Sequence, residues 1–115
     1  MNPLVELRDA LRVFARERDW EQFHSPRNLA TAMAVEAAEL LEHFQWQTSE
    51  HADALPGDAL AEIRLEMADV LLYLVRMADR LDVDLAEAAR DKLAINAAKY
   101  PADKARGRAD KYDKL

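Results

Sequence analysis

The stretch whose reading decides the fold is DALAEIRLEMADVLLYLVRMADRL, residues 58–81. Its centre, VLLYLV (70–75), taken alone passes for a buried strand. The flanks carry the helical spacing of apolar residues on both sides, with no Gly or Pro inside the run, so the segment reads as one long helix. Around that centre apolar side chains point nearly all the way round: Val70, Leu71, Leu72, Leu74, Val75 and Met77. A helix that is apolar on every side has to be covered on every side. Three other modest helices can hardly do that in a chain of 115 residues, so the expectation is a homo-oligomer, with this helix at or near the subunit interface.

Outward from it, three more helices can be drawn. Asn2 as N-cap and Pro3 at the first helical position open one whose apolar residues Leu4, Leu7, Leu11 and Phe14 step by three and four, running out near Asp19. WEQFHSP (20–26) is an aromatic connection, and Ser25 with Pro26 starts a helix that runs to about Trp46. QTSEHADALPG (47–57) is polar and ends in Pro-Gly, a loop. Asp84 with Glu87 three residues later is a capping-box-like start for a last helix, which ends before Pro101. Residues 101–115 read as a polar, basic tail on which no structure is forced.

Composition agrees with an all-α class. Half of the residues are hydrophobic, with two Gly and four Pro, which suits a single domain over 1–115 rich in helix formers. Without Cys there is no disulfide framework and no thiolate metal site, so a reducing compartment, the cytoplasm, is expected. MNPLVELRDA lacks the pattern of a signal peptide, and the longest apolar run is far too short to cross a bilayer, so no membrane partner is expected. A net charge of −6 argues against a nucleic-acid polymer as partner. From Lys99 onward six Lys/Arg face three Asp, a net +3, which leaves −9 on residues 1–98. The basic tail is either plain solvated chain or an arm for phosphate.

The chemistry-bearing signal is acidic. AVEAAELLEHFQW (34–46) places Glu36 and Glu39 on one helix face, and EMADVLLY (66–73) places Glu66 and Asp69 at the same spacing with Tyr73 one turn on. Packing the two helices side by side would gather up to four carboxylates in apolar surroundings. Such a cluster is unfavourable without a counterion. Mg²⁺, a hard ion that takes oxygen ligands and bridges to phosphates, resolves it, with Mn²⁺ the alternative. No Cys or His stands inside the pairs, which argues against zinc and against a di-iron bundle. The competing reading is a solvated acidic face, but no Lys or Arg lies within four positions of Glu36 or Glu39. Glu42 is either a further acid at the rim or simply solvated.

E-x-x-E followed a few dozen residues later by E-x-x-D resembles the metal-binding signature of the all-α, MazG-like nucleoside triphosphate pyrophosphohydrolases. ERDWEQFHSPRNL, FQW, ADVLLYLV, VDL, KLAINAAKYP and RGRADKY together resemble the dCTP pyrophosphatase branch of that family, over about residues 11–112. The resemblance implies a four-helix MazG-like bundle completed by oligomerisation, into a homotetramer. It further implies cleavage of a nucleoside triphosphate, dCTP or a modified dCTP, to monophosphate and pyrophosphate, as in clean-up of a nucleotide pool. By the same resemblance Glu36, Glu39, Glu66 and Asp69 match metal ligands, Tyr73, Lys92 and Asn96 match phosphate contacts, and Trp20 and Trp46 match the aromatics holding the base. The chain departs from many members at Leu65, where they carry an acid just before the third ligand.

The residues carry their own case. Splitting a triphosphate between its α and β phosphorus is mainly a matter of positioning and charge neutralisation. Glu36 and Glu39 are the catalytic candidates, with Glu39 named to take the water's proton. Lys92 and Asn96, four apart, with Lys99 beyond, form a stripe suited to phosphate oxygens, or an ordinary solvated face. Trp20 and Trp46 border polar loops and suit stacking on a base, and the helix between them is long enough that the two would come from different subunits. His24 either bonds the base or caps the loop. Tyr73 either reaches phosphate or sugar or is a core tyrosine. A non-catalytic helical scaffold, or a phosphohydrolase of another phosphorylated substrate, is the alternative to this enzyme.

Overall fold

Asn2 caps the first helix as its sequence implies: its side-chain Oδ1 accepts from the Leu4 amide at 2.9 Å, and Pro3 occupies the first turn. The structure, a computed structural model, describes residues 2–45 and 57–115. Among them every regular element is helical and none is a strand: α1 (Pro3–Glu17), α2 (Pro26–Glu42), α3 (Gly57–Arg80), α4 (Leu85–Lys99) and the short α5 (Ala102–Ala105), with 3₁₀ turns at Glu21–Phe23 and Tyr112–Lys114. No helix among the described residues is long and apolar enough to cross a membrane. The chain divides into two units, Met1–Val83 and Asp84–Leu115.

In the first unit α3 packs along α2 most extensively and has α1 as a second neighbour. The core takes residues from all three helices: Ala15 from α1, Leu29 from α2, and Ile63, Val75 and Ala78 from α3. The segment 70–75 is helical, as its flanks imply. Ser25 Oγ accepts from the Asn28 amide at 3.1 Å and starts α2. That helix ends at Glu42, short of the expected Trp46, because its last turn tightens: the amides of His43 and Phe44 bond three residues back, to the carbonyls of Leu40 and Leu41 at 3.3 and 2.9 Å.

Two helix ends are closed in a way that sets up the site. After α1 the Trp20 amide donates to Ala15 O at 2.9 Å and the Asp19 amide to Arg16 O at 3.1 Å, with Asp19 left-handed at φ 54°. After α3 the Val83 amide donates to Ala78 O at 2.8 Å and the Asp82 amide to Asp79 O at 3.2 Å, with Asp82 at φ 56°. Both are Schellman closures in which Asp stands where Gly is usual, since a short polar side chain tolerates that conformation better than most. The first of them delivers Trp20 directly off the end of α1.

In the second unit Asp84 Oδ1 accepts from the Glu87 amide at 3.0 Å and caps α4, and Tyr100 precedes the Pro101 stop. The segment after Pro101, a polar, basic tail on which the sequence forces no structure, is ordered by local contacts. Gly107 turns it at φ 74°, Arg108 donates to Asp110 Oδ2 at 2.8 Å and to the Lys114 carbonyl at 3.1 Å, and Tyr112 stacks edge-on to Tyr100 at 6.2 Å.

Candidate active site

Glu36 and Glu39 of α2 meet Glu66 of α3. One carboxylate oxygen from each of Glu36, Glu39 and Glu66 lies within 4.8 Å of the other two, and all three side chains are half-buried. Glu66 Oε2 is fully buried and has no hydrogen-bond partner. Desolvation is the main reason the Glu36 carboxyl is pushed up to about 7, followed by the close approach of the Glu66 and Glu39 carboxyl groups and by repulsion from Glu39 and Asp69. Among the described residues no Lys or Arg forms an ion pair with any of these four acids. Three crowded carboxylates, one holding its proton to near neutrality and one with an orphaned oxygen, fit a hard divalent cation.

Asp69, the expected fourth member, stands outside the 4.8 Å cluster. One turn beyond Glu66, its charge still reaches Glu36, and its side chain lines the adjoining cleft. Glu42 is exposed at the end of α2, outside the cluster as well.

The cleft has a volume of about 430 Å³, in the range of small-molecule sites. α1 supplies one wall through Leu7, Ala10, Leu11 and Phe14, so three of the four residues of its apolar stripe face a cleft. α3 supplies Asp69, Leu72, Tyr73 and Arg76, and the connection between α1 and α2 supplies Trp20 and His24. Trp20 is 43 % exposed, and its ring meets Phe14 edge-on at 5.7 Å and His24 at 6.4 Å. An aromatic face left partly open in a cleft is suited to stacking. Ser25 caps α2, and the Nδ1 of His24 accepts from Arg76 Nε at 3.0 Å.

Lys92 is exposed and Asn96 half-buried, one turn apart on α4 of the second unit. Lys99 lies 4.9 Å from the centre of the Tyr112 ring, a cation–π contact within that unit. Trp46 lies outside the described residues. What sequence reading missed is a buried polar chain on the cleft wall. Arg76 is 6 % exposed, and besides His24 it donates to Asp79 Oδ2 at 3.3 Å, while Arg12 from α1 grips the same carboxylate. The available signal was an arginine set directly after the apolar run of residues 70–75 and followed by Met77 and Ala78.

Comparison with known proteins agrees with this architecture. Residues 31–115 match the MazG-like family. dCTP pyrophosphatase 1 of Mus musculus is 45 % identical over 114 residues, covering 97 % of this chain and 67 % of that protein. dCTP pyrophosphatase 1 of Homo sapiens is 45 % identical over 118 residues, with the same coverage of 97 % and 67 %. A crystal structure of a pyrophosphatase from Archaeoglobus fulgidus DSM 4304 superimposes with a TM-score of 0.81 at 38 % identity, covering 88 % of this chain and 94 % of that one. The all-helical fold and the acid cluster agree with the class that the matches name. The chain belongs to the MazG-like family.

Proposed function

We propose that the chain is a Mg²⁺-dependent nucleoside triphosphate pyrophosphohydrolase that converts dCTP, or a modified dCTP, to the monophosphate and pyrophosphate, in the cytoplasm and as a homotetramer. The observation that carries the reading is the convergence of Glu36, Glu39 and Glu66 within 4.8 Å, with a buried Glu66 oxygen lacking a partner. Its relatives supply the substrate class, since dCTP pyrophosphatase 1 of mouse and human matches nearly the whole chain.

Glu36, Glu39, Glu66 and Asp69 would hold Mg²⁺, with Mn²⁺ the alternative; bound there, the ion would neutralise phosphate charge and act as a Lewis acid. The chain's own groups divide the remaining work. Water adds to the α-phosphorus, the bond from that phosphorus to the bridging oxygen breaks, and pyrophosphate leaves. Glu39 takes the proton of the incoming water, and Glu36 shares the acid cluster with it. Trp20 offers a stacking face in a cleft wide enough for a base, and Trp46 is assigned the same task. His24 bonds the base, Tyr73 reaches sugar or phosphate with its hydroxyl, and Lys92 and Asn96 bind phosphate oxygens. The overall charge of −6 disfavours a polyanionic polymer, whereas a single triphosphate needs only local compensation.

Support for the tetramer comes from α3, whose Met67, Leu71 and Leu74 stand on one face and are 58 %, 39 % and 36 % exposed. The test of the function is a panel of nucleoside triphosphates with Mg²⁺, scored for pyrophosphate against orthophosphate. Pyrophosphate from dCTP above the other nucleotides is the expected result. Release of single phosphate, or none, overturns the reading.

A further inference from the structure

Arg76 is a charged side chain in a buried position, and its partners define what it can do. Its guanidinium is permanently protonated and has only donors, so the His24 Nδ1 it meets at 3.0 Å must be an acceptor. A neutral imidazole whose Nδ1 accepts carries its proton on Nε2. Arg76 is itself held: its Nη1 donates to Asp79 Oδ2 at 3.3 Å, and Arg12 fixes Asp79 from α1 with two hydrogen bonds. The order therefore runs from Arg12 through Asp79 and Arg76 to His24, and ends in the cleft that Trp20 and Tyr73 also line.

We propose that Arg76 is a positioning residue that fixes His24 as an Nε2–H donor, so that His24 reads an acceptor atom on the base in the cleft. The proposal rests on the nucleotide reading above and refines it. A donor suits O2 or N3 of a cytosine ring, both acceptors, and is mismatched to an N3–H, where two donors would face each other. The His24 imidazole is held below its ordinary 6.5 by burial first and then by Arg76 and Arg80, against the opposing charge of Glu21. Asp69 and Tyr73 are the other titratable groups lining the cleft, to which α1 contributes only apolar side chains. The neutral form of His24 is therefore favoured, and with Nδ1 accepting from Arg76 the donor is Nε2–H.

The test needs no substrate in its first arm. Long-range ¹H–¹⁵N spectra of the intact free protein, with His24 assigned by loss of its signals in His24→Ala, are expected to show an unprotonated Nδ1 and a protonated Nε2. In Arg76→Met, which leaves Asp79 its Arg12 partner, the His24 tautomers should mix and its titration should rise. In the second arm, Arg76→Met should raise KM for dCTP roughly tenfold, about what one hydrogen bond supplies, with kcat little changed. In a His24→Ala background the same substitution should add nothing further, because both act through one contact. A wild-type proton on Nδ1, or effects of the two substitutions that simply multiply, overturns the proposal. Absence of dCTP hydrolysis by the wild type would sink the nucleotide reading instead, while the spectra still decide the Arg76–His24 relation.

Discussion

Arg12 of α1 and Asp79 of α3, 67 residues apart in sequence, meet through two hydrogen bonds, Nε to Oδ2 at 2.8 Å and Nη2 to Oδ1 at 2.6 Å. The pair ties together the two helices that wall the cleft, and it gives the buried Arg76 its counter-charge. Planar, two-point pairing of this kind is the strong form of a charged hydrogen bond.

Asp79→Asn should therefore cost more than a surface ion pair, roughly 2 kcal/mol at neutral pH, since it leaves a buried guanidinium short of charge. The Arg12 hydrogen bond, ahead of the attraction of Arg12, Arg76 and Arg8, holds the Asp79 carboxyl below its ordinary 3.8. A depressed carboxyl stabilises the fold above the unfolded value and loses that contribution as pH falls through the folded one. The gap between wild type and variant, followed by urea unfolding, should be widest near neutrality and close in acid below about pH 4.

Which of these relations can be read from sequence depends on how local their causes are. The helix starts at Asn2, Ser25 and Asp84 are legible because each cap is a bond between neighbours. The helix stops are less so: Asp19 and Asp82 close α1 and α3 in a conformation that normally advertises itself with Gly. The acid cluster is legible because two carboxylate pairs at helical spacing, each set in apolar sequence with few cations near, are tolerable together only around a counterion. The polar chain through Arg76 is not, because its partners His24 and Arg12 are brought in only by packing, and nothing near Arg76 in sequence names them. Order after Pro101 is missed for a similar reason, since Tyr112 finds Tyr100 only once Gly107 has turned the chain.

The acid cluster predicts an unusual pH response. Glu36 binds its proton more tightly in the fold, at about 7, than at its ordinary 4.5. A raised carboxyl contributes stability fully below the unfolded value, and the contribution is lost as pH rises through the folded one. The thermal midpoint of metal-free protein should thus decline between about pH 4.5 and 7, and Glu36→Gln should flatten that slope. Mg²⁺ binds only the deprotonated acids, so the rise in midpoint on adding it should grow across the same interval. Calorimetry with and without the ion checks both; a Mg²⁺ effect independent of pH would contradict the assigned ligands.

Glu39→Gln separates catalysis from folding. With its carboxylate gone, the water's proton has no acceptor and one proposed ligand is weakened, so turnover of dCTP should drop by about 10²–10⁴-fold. The fold should survive, and the metal-free variant should be no less stable than wild type, because one of three mutually repelling acids has been neutralised. Pyrophosphate release and thermal unfolding on the same sample distinguish this from a misfolded protein, in which both would fall.

The exposed face of α3 supplies the last prediction. Met67, Leu71 and Leu74 recur at helical spacing and are 58 %, 39 % and 36 % exposed, while Val75 and Ala78 on the same helix are 3 % and 7 % exposed. Burying a large aliphatic side chain is worth about 1.5–3 kcal/mol, so leaving such a row in water is costly. If subunits meet on this face, Leu71→Glu with Leu74→Glu should lower the solution mass from that of a tetramer without unfolding the protomer, because neither side chain belongs to the buried core of the chain. Light scattering gives the mass and circular dichroism the helix content. Retention of the wild-type mass would place the interface elsewhere, and loss of helicity together with mass would show that α3 depends on this face being covered.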